Sequence, residues 1–581
     1  MKMLTKLSAA VLTASMLTAC GSDSDSDNKS EPAGSQGQVK NLILMIGDGM
    51  GAQQVGILEE YARRSPANAA HIDRVTGLQK LAENGSLGLS MTAPMGTNAG
   101  LVVDSACSAT QLATGQGSIS EAVGLDDNGN KVETILEKAR KMGKATGLIT
   151  DTRLTHATPA GFAAHRPHRS LENDIAEDLL AAQVDVLLGG GSRHWVHDPL
   201  AGVDLTGMDD DQKKALRKEK FAELATELNA PSHVIKKTKR SLDDDRRLLT
   251  EAKNAGYALA FDRTQMNAVS GGKLLGLFDD SAMNDGIEYT HCKNAATVEP
   301  GNKCADEPSL KEMTKKALDI LSQDPDGFFL MVEGGQIDWA GHINDAGWLL
   351  HEMLKFDEAV QAVYEWVAER DDTLVVVTAD HETGGFGVAY HKHDIPQAKT
   401  LAGDGMVNSD GSARDYKPNY NFGSLATLDK IYAQKRSFYD ILDSVNGDWD
   451  FSNSSAAAWV EEVNASVHED FRIDNESGER IAARYDVPVE EQHPDHGYLK
   501  ATNIPLFNDF SDFYVYADED TGALIGRELA AKQSVTWGNG THTAAPVPVY
   551  AFGPEAITKQ FSTLQHHTDI GQKMMAALIA E

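Results

Sequence analysis

The chain is poor in cysteine, with four in 581 residues. That excludes a small disulfide-built scaffold and leaves the fold to a hydrophobic core. Long apolar runs are also missing: nothing reaches the ~18–20 consecutive apolar residues that a membrane-spanning helix needs. Basic residues are scarce, 53 Lys+Arg against 86 Asp+Glu, for a formal charge of −33. Such a surface repels a phosphate backbone, so no nucleic-acid partner is expected. It also repels a small anion at long range, so any anion site must be made locally positive by metals or arginine. What the chain does have is 41% hydrophobic residues, enough to bury a sizeable core.

The N-terminus reads as an export signal. Lys2 and Lys6 precede an apolar stretch from Leu7 to Ala19. Its end, Leu17-Thr18-Ala19-Cys20-Gly21, resembles the bacterial lipoprotein box, in which the Cys is acylated and begins the mature chain. Residues 1–19 are therefore expected to be a signal peptide. Residues 20–38, rich in Ser, Asp and Gly, are expected to be a flexible tether from a lipid bilayer. Residues 39–581 are expected to form one domain with insertions at about 195–250 and about 385–535. The first insertion is highly charged and reads as a solvated helical excursion; the second reads as long, acidic and loop-rich. Cys292 and Cys304 flank a polar loop and are expected to pair in an exported chain. Cys107 reads as a buried core thiol.

Apolar runs recur at Asn41–Ile46, Ala145–Thr150, Val184–Leu188, Phe328–Val332, Leu374–Thr378 and Val547–Phe552. Most are continuous rather than alternating, the pattern of strands covered on both faces. Helical patterns separate several of them. The clearest follows His342, where Trp348, Leu349, Met353, Phe356, Val360, Val363 and Val367 make one apolar stripe. This alternation predicts an α/β fold of three layers, α/β/α, around a large, mainly parallel sheet. Ligands of such sheets sit at the carboxyl ends of the strands. Asp48, Thr158, Glu333 and the pair Asp380-His381 follow or end four of these runs. Four strands thus bring polar residues to one edge.

Ser105 stands where a helix can begin, in Val103-Asp104-Ser105-Ala106. A helix N-terminus favours anions, although Asp-Ser-Ala alone is equally a helix cap. No lipase-like G-x-S-x-G surrounds it, which leaves metal activation for a nucleophilic serine. Glu333, Asp338 and His342 lie in one segment, and a helix there would put Asp338 and His342 on one face at i,i+4. That donor pair suits Zn²⁺.

Taken together, IGDGMG, VDSACSATQLATG, HATPAGFAAH, LLGGG, VEGGQIDWAGH, VTADHETGG and THTAAPVPVYAFGP resemble the segments of alkaline phosphatases, bacterial and mammalian, in order along the chain. The resemblance implies metal-dependent hydrolysis of phosphate monoesters through a phosphoserine on Ser105. It implies two Zn²⁺ and one Mg²⁺: the first zinc held by Asp338, His342 and His542, the second by Asp48, Asp380 and His381, and magnesium by Asp48, Thr158 and Glu333. Arg169 would grip phosphate, with Asp104 orienting it. A homodimer is also implied. The sequence departs from the enteric pattern at two neighbours of the third site, with His156 in place of Asp and Trp339 in place of Lys. Mammalian forms have His at both positions, and some marine bacterial forms share the His/Trp pair.

Two other readings stay open on the residues: a phosphodiesterase of the same superfamily, and a non-catalytic surface lipoprotein that binds phosphate or zinc. The C/S-x-P-x-R pattern of sulfatases is not matched by DSACS. His391-Lys392-His393-Asp394 and His493-Pro494-Asp495-His496 look like metal clips, but loop polarity is the default for both.

Overall fold

The computed structural model describes residues 39–579, apart from 69–73, 295–302, 446, 448–453, 493–501 and 507–510. The signal segment, the tether, Cys20 and the His493–His496 segment lie outside the described residues.

Twelve strands build the sheet and the site at its edge. They are β1 Asn41–Gly47, β2 Ser86–Met91, β3 Ala145–Arg153, β4 Val186–Gly190, β5 Tyr257–Ala260 and β6 Lys273–Leu277. β7 Phe328–Gly334, β8 Thr373–Ala379, β9 Glu382–Thr383, β10 His542–Thr543, β11 Val547–Phe552 and β12 Leu564–His566 complete them. All but β9 and β10 form one ten-stranded sheet in the order β12-β2-β11-β8-β1-β7-β3-β4-β6-β5. The run from β8 to β5 is parallel throughout, and β11 is antiparallel to both β8 and β2.

The continuous apolar runs have the cause the sequence suggests. Every residue of β1, β7 and β8 is buried, and alternate residues feed two separate cores. Ile43, Met45, Leu330, Val332, Val375 and Val377 join one core. Leu42, Leu44, Ile46, Phe329, Met331, Leu374 and Val376 join the other. A sheet with a helical layer on each face favours apolar residues on both, and the polar residues of these strands, Asn41, Glu333, Thr373 and Thr378, are confined to their ends.

The helices around the site are α1 Ser105–Thr114, α2 Ala157–Ala163, α3 Gln336–His342, α4 Ala346–Val367, α5 Phe438–Val445 and α6 Ala517–Gln533. Helix α4 realises the stripe read from the sequence. The charged excursion contains the helix Asp210–Leu228, which buries only Phe221 and Ala225. The reading of 385–535 as loop-rich holds for residues 389–424, which carry no helix or strand, and needs correction beyond them. That region holds α5, α6 and the helices Leu425–Tyr432, Ala456–Ser466 and Asn475–Ala482. Each of these three, like α5, is short and buries only two or three residues, for example Phe438, Ile441 and Leu442 in α5. Patterns of that length give no long periodic signal. Cys292 and Cys304 form a disulfide, and Cys107 is free and buried.

Asp345 ties the inserted helices to the catalytic core. It is fully buried and caps α4, accepting from the Gly347 and Trp348 amides at 3.0 Å each. The same carboxylate accepts from Gln434 Nε2 at 2.8 Å and from the amide of Phe438 at 2.8 Å, where α5 begins. Asp345→Ala strands several buried donors and is expected to cost about 3 kcal/mol of unfolding free energy. Urea denaturation checks this; a loss below about 1 kcal/mol would show that the inserted helices are held some other way.

Candidate active site

The four strand ends named from the sequence are neighbours, because β8, β1, β7 and β3 are adjacent in the sheet. The register aligns Gly47 of β1 with Gly334 of β7 and Ala379 of β8. Asp48 and Asp380 therefore emerge at the same level, and Glu333, paired with Ile46, stands two residues before them. Gly49 lets the turn after β1 close: its φ is +76°, and a Cβ there would stand 2.8 Å from the Asp338 Cα. Its amide donates to Asp380 Oδ1 at 3.0 Å.

Chain geometry beyond the strand ends supplies the rest. Helix α3 begins one residue after β7 and Gly335, and its i,i+4 spacing sets His342 Nε2 3.2 Å from Asp338 Oδ2. β9 follows His381 directly and pairs with β10, placing His542 opposite Thr383. His542 Nε2 then lies 3.2 Å from His342 Nε2 and 3.5 Å from Asp338 Oδ1. After β3 the chain turns into α2, which carries Thr158, with His156 at its cap position.

Three donor groups result, each with ligand atoms within 4.8 Å of one another: Asp338/His342/His542, Asp48/Asp338/His381 and Asp48/His156/Glu333. Asp380 belongs with the second, since its Oδ2 is 3.1 Å from His381 Nε2, and Asp48 Oδ1 is 3.4 Å from the same nitrogen. Thr158 sits beside Glu333. The arrangement adds two features to the ligand sets expected from the sequence: Asp338 reaches both of the groups expected to hold zinc, and His156 stands among the donors of the third. His391 and His393 are in none of these groups.

The donors fit divalent cations because they are otherwise unbalanced. Both Asp48 oxygens and Glu333 Oε1 are buried without a hydrogen-bond partner among the described residues. Burial, then the charges of Asp380, Asp338 and Glu333, pushes the Asp48 carboxyl well above its usual range. Burial raises Glu333 to about 8, and burial with Asp338 raises Asp380 to about 7. Burial alone would lower His342, but the Asp338 carboxylate outweighs it and holds the imidazole at about 9. Burial lowers His542 to about 4 and takes His381 well below its usual value. Carboxylates this crowded and this dry need positive charge, and the His381 and His542 imidazoles are in the neutral form that metals bind.

Ser105 is the first residue of α1 and is 1% exposed. Its Oγ lies 3.2 Å from His381 Nε2. The cap itself is Asp104, which accepts from the Ala106 and Cys107 amides. This separates the two readings of the motif: Asp104 caps, and the Ser105 hydroxyl faces the donor cluster. Asp104 Oδ2 also holds Arg169 Nη1 at 3.2 Å, and Arg169 Nη2 is 3.1 Å from His156 Nε2. The close fit of α1 on α2 depends on Gly161, where a Cβ would meet that of Ala109 at 2.9 Å.

Sequence reasoning missed three contributors. Thr383 donates to Asp338 Oδ1 at 2.5 Å, and Ser108 Oγ donates to the Asp380 carbonyl at 2.8 Å. The Tyr516 ring meets His342 edge-on, with centroids 5.1 Å apart. Thr383 falls inside VTADHETGG and Ser108 inside VDSACSATQLATG, so both were legible as neighbours of the ligands. Tyr516 comes from the long insertion and carries no signal.

The alkaline phosphatase family model matches residues 39–410. The chain belongs to the alkaline phosphatase family. His542 and the C-terminal motif lie beyond the matched residues. Alkaline phosphatase 3 of Bacillus subtilis (strain 168) is 33% identical over 376 residues, 64% of this chain and 67% of that protein. The alkaline phosphatase of Escherichia coli (strain K12) is 32% identical over 373 residues, 59% and 70% of the two chains. The crystal structure of Thermus thermophilus alkaline phosphatase shares the fold, with a TM-score of 0.66, 22% identity and 96% of each chain covered. Family and donor clusters together support an alkaline phosphatase that hydrolyses phosphate monoesters with bound metal.

For this alkaline phosphatase, chelation is expected to lower the thermal midpoint, by roughly 5 °C or more, and restored metal to recover it. The effect depends on pH with a definite sign. In the metal-free chain Glu333 at about 8 and Asp380 at about 7 stand above their unfolded values of 4.5 and 3.8. Their contribution to stability is present at low pH and is lost as pH rises through 7–8. Calorimetry at pH 6 and pH 9 is expected to show the metal-free form falling further behind at pH 9. An equal gap at both would mean that the carboxylates are balanced by something other than metal.

Proposed function

We propose that this alkaline phosphatase cleaves phosphate monoesters through a phosphoserine on Ser105, with two Zn²⁺ and one Mg²⁺. Asp338, His342 and His542 would hold the first zinc, and Asp48, Asp380 and His381 the second; Asp48, Thr158 and Glu333 would hold magnesium. Mixed imidazole and carboxylate donors suit zinc, and oxygen donors suit magnesium. His156 beside the third set offers a nitrogen that Zn²⁺ or Co²⁺ would use. When bound, the metals supply the positive charge that ionises the nucleophile and stabilises the leaving oxygen of an in-line displacement.

What supports this reading most is Ser105 Oγ, buried at a helix N-terminus and 3.2 Å from the nearest proposed ligand nitrogen. Ser105 Oγ forms the new bond to phosphorus as the bond to the ester oxygen breaks, and water later cleaves the phosphoserine to release phosphate. Arg169, steered by Asp104, presents a planar fork to the phosphoryl oxygens. That geometry favours a dianionic monoester over a diester. Preorganised charge of this kind supplies most of the stabilisation in phosphoryl transfer.

Export, acylation at Cys20 and attachment to a bacterial membrane complete the proposal, with a homodimer as the assembled form. Among the described residues no helix is long and apolar enough to cross a membrane.

The test is p-nitrophenyl phosphate hydrolysis at alkaline pH before and after chelation and restoration of zinc and magnesium, with Ser105→Ala alongside. Ser105→Ala is expected to lose more than the ~10²–10⁴ typical of one catalytic group, because a covalent route disappears. An inactive metal-loaded wild type would point to a diesterase or a binding lipoprotein. The His156/Trp339 pair generates a second expectation. Trp339, its ring centroid 6.1 Å from that of His156, brings no charge to phosphate. Trp339→Lys is expected to lower the inhibition constant for phosphate by about tenfold, and an unchanged constant would remove Trp339 from product release.

A further inference from the structure

A cavity of about 440 Å³ adjoins the site, with His156 and Trp339 in its lining. His156 is 9% exposed, and its Nδ1 is buried with no hydrogen-bond partner among the described residues. Its Nε2 is 3.1 Å from Arg169 Nη2, so an ester gripped by Arg169 lies one imidazole away from the cavity. Trp339 stands three residues before His342 on α3. Tyr516 packs on His342, and Glu519, one turn later on α6, reaches the same cavity.

Acidic and aromatic side chains make up most of the remaining lining, with Arg153, Met283, Gln336 and Ser437 beside them. Asp285, Glu288 and Asp440 face the cavity beside Glu519, whose Oε1 accepts from the Tyr439 hydroxyl at 2.7 Å. No ion pair reaches Asp285, Glu288 or Asp440 among the described residues. The cations in reach, Arg153 in the lining itself with Lys303 and Arg436 near it, are paired with other carboxylates: Glu172 at 2.8 Å, Asp279 at 3.1 Å and Glu462 at 2.6 Å. Burial, then Asp285 and Glu288, pushes Asp440 up to about 7. Carboxylates crowded around a cavity without a counter-ion are relieved by a cationic occupant. The Trp339 and Tyr439 rings add the faces to which alkylammonium groups are attracted.

We propose that this cavity is the leaving-group subsite and that it selects phosphate monoesters of cationic alcohols, aminoalkyl or quaternary ammonium, over those of neutral alcohols. The proposal rests on the phosphomonoesterase reading of the site. The phosphoryl group would lie at Ser105 and Arg169, with the ammonium end among Asp285, Glu288, Asp440 and Glu519.

The test compares kcat/KM of the zinc- and magnesium-loaded full chain for phosphocholine, phosphoethanolamine, glycerol 2-phosphate and p-nitrophenyl phosphate. A preference of about tenfold or more for the two cationic esters over glycerol 2-phosphate is expected. The isosteric double variant Glu288→Gln/Asp440→Asn is expected to shrink that preference to about threefold or less and to keep p-nitrophenyl phosphate within about twofold of wild type. Choline alone is expected to inhibit hydrolysis of glycerol 2-phosphate at concentrations where glycerol does not, a readout that needs no variant. Equal kcat/KM for cationic and neutral esters, a parallel fall on all substrates in the variant, or no inhibition by choline would each overturn the subsite. Failure on p-nitrophenyl phosphate in the wild type would instead overturn the reading on which the subsite rests.

Discussion

Everything at this site depends on keeping Asp48, Glu333, Asp338 and Asp380 together out of water. Each is no more than 4% exposed, and they raise one another's proton affinity wherever an imidazole does not intervene. Isolated buried carboxylates neutralise or must be paired, and no Lys or Arg makes an ion pair with any of the four among the described residues. The histidines answer only part of the problem, and in different ways: His342 is held protonated by Asp338, and His381 and His542 are held neutral. A neutral imidazole beside an unpaired carboxylate is a metal ligand set in waiting.

The fold makes that crowding possible by putting the burden on adjacent parallel strands. β8 and β1 are registered so that Asp380 and Asp48 reach one level, and Glu333 near the end of β7 stands two residues before it. Buried on both faces, these strands hold the turns that follow them, so the carboxylates cannot spread apart to relax their repulsion. Rigidity also reaches the proposed nucleophile. Ser108, one turn into α1, bonds the Asp380 carbonyl, and His567 is 2.8 Å from the same oxygen. The helix that presents Ser105 is thereby fixed to the strand end that presents His381. Preorganisation of this kind removes reorganisation from the reaction itself.

Much of this was legible in the sequence, for identifiable reasons. Runs without alternation implied a doubly covered sheet, and their polar ends implied a site at one edge. The i,i+4 spacing of Asp338 and His342 became a real pair because α3 does begin after Gly335. Other parts had no local signal. His542 reaches the site through a two-residue pairing of β10 with β9, and only the resemblance to alkaline phosphatases singled it out. Arg169 follows α2 in a stretch rich in surface-like residues, and its place is set by Asp104, 65 positions earlier. Four of the inserted helices were hidden because each buries so few side chains, and nothing local marked Tyr516 or Glu519 as neighbours of the site. Long-range contacts between an insertion and the active site are the kind of information that periodicity does not carry.

The overall charge of −33 gives the proposed subsite a further consequence. A dianionic ester approaching this surface meets repulsion beyond the metals' reach, out to a screening length of about 8 Å at physiological ionic strength. A cationic alcohol changes that balance, because its ester carries one positive charge and is drawn ammonium-first toward acidic surface. In the proposed geometry the acidic cavity beside Trp339 receives that end while Arg169 and the metals receive the other. The same carboxylates that exclude a neutral-alcohol dianion at long range would then orient the zwitterion at short range. An enzyme otherwise indifferent to its leaving group would acquire selectivity from electrostatics alone, with no hydrogen bond read from the alcohol.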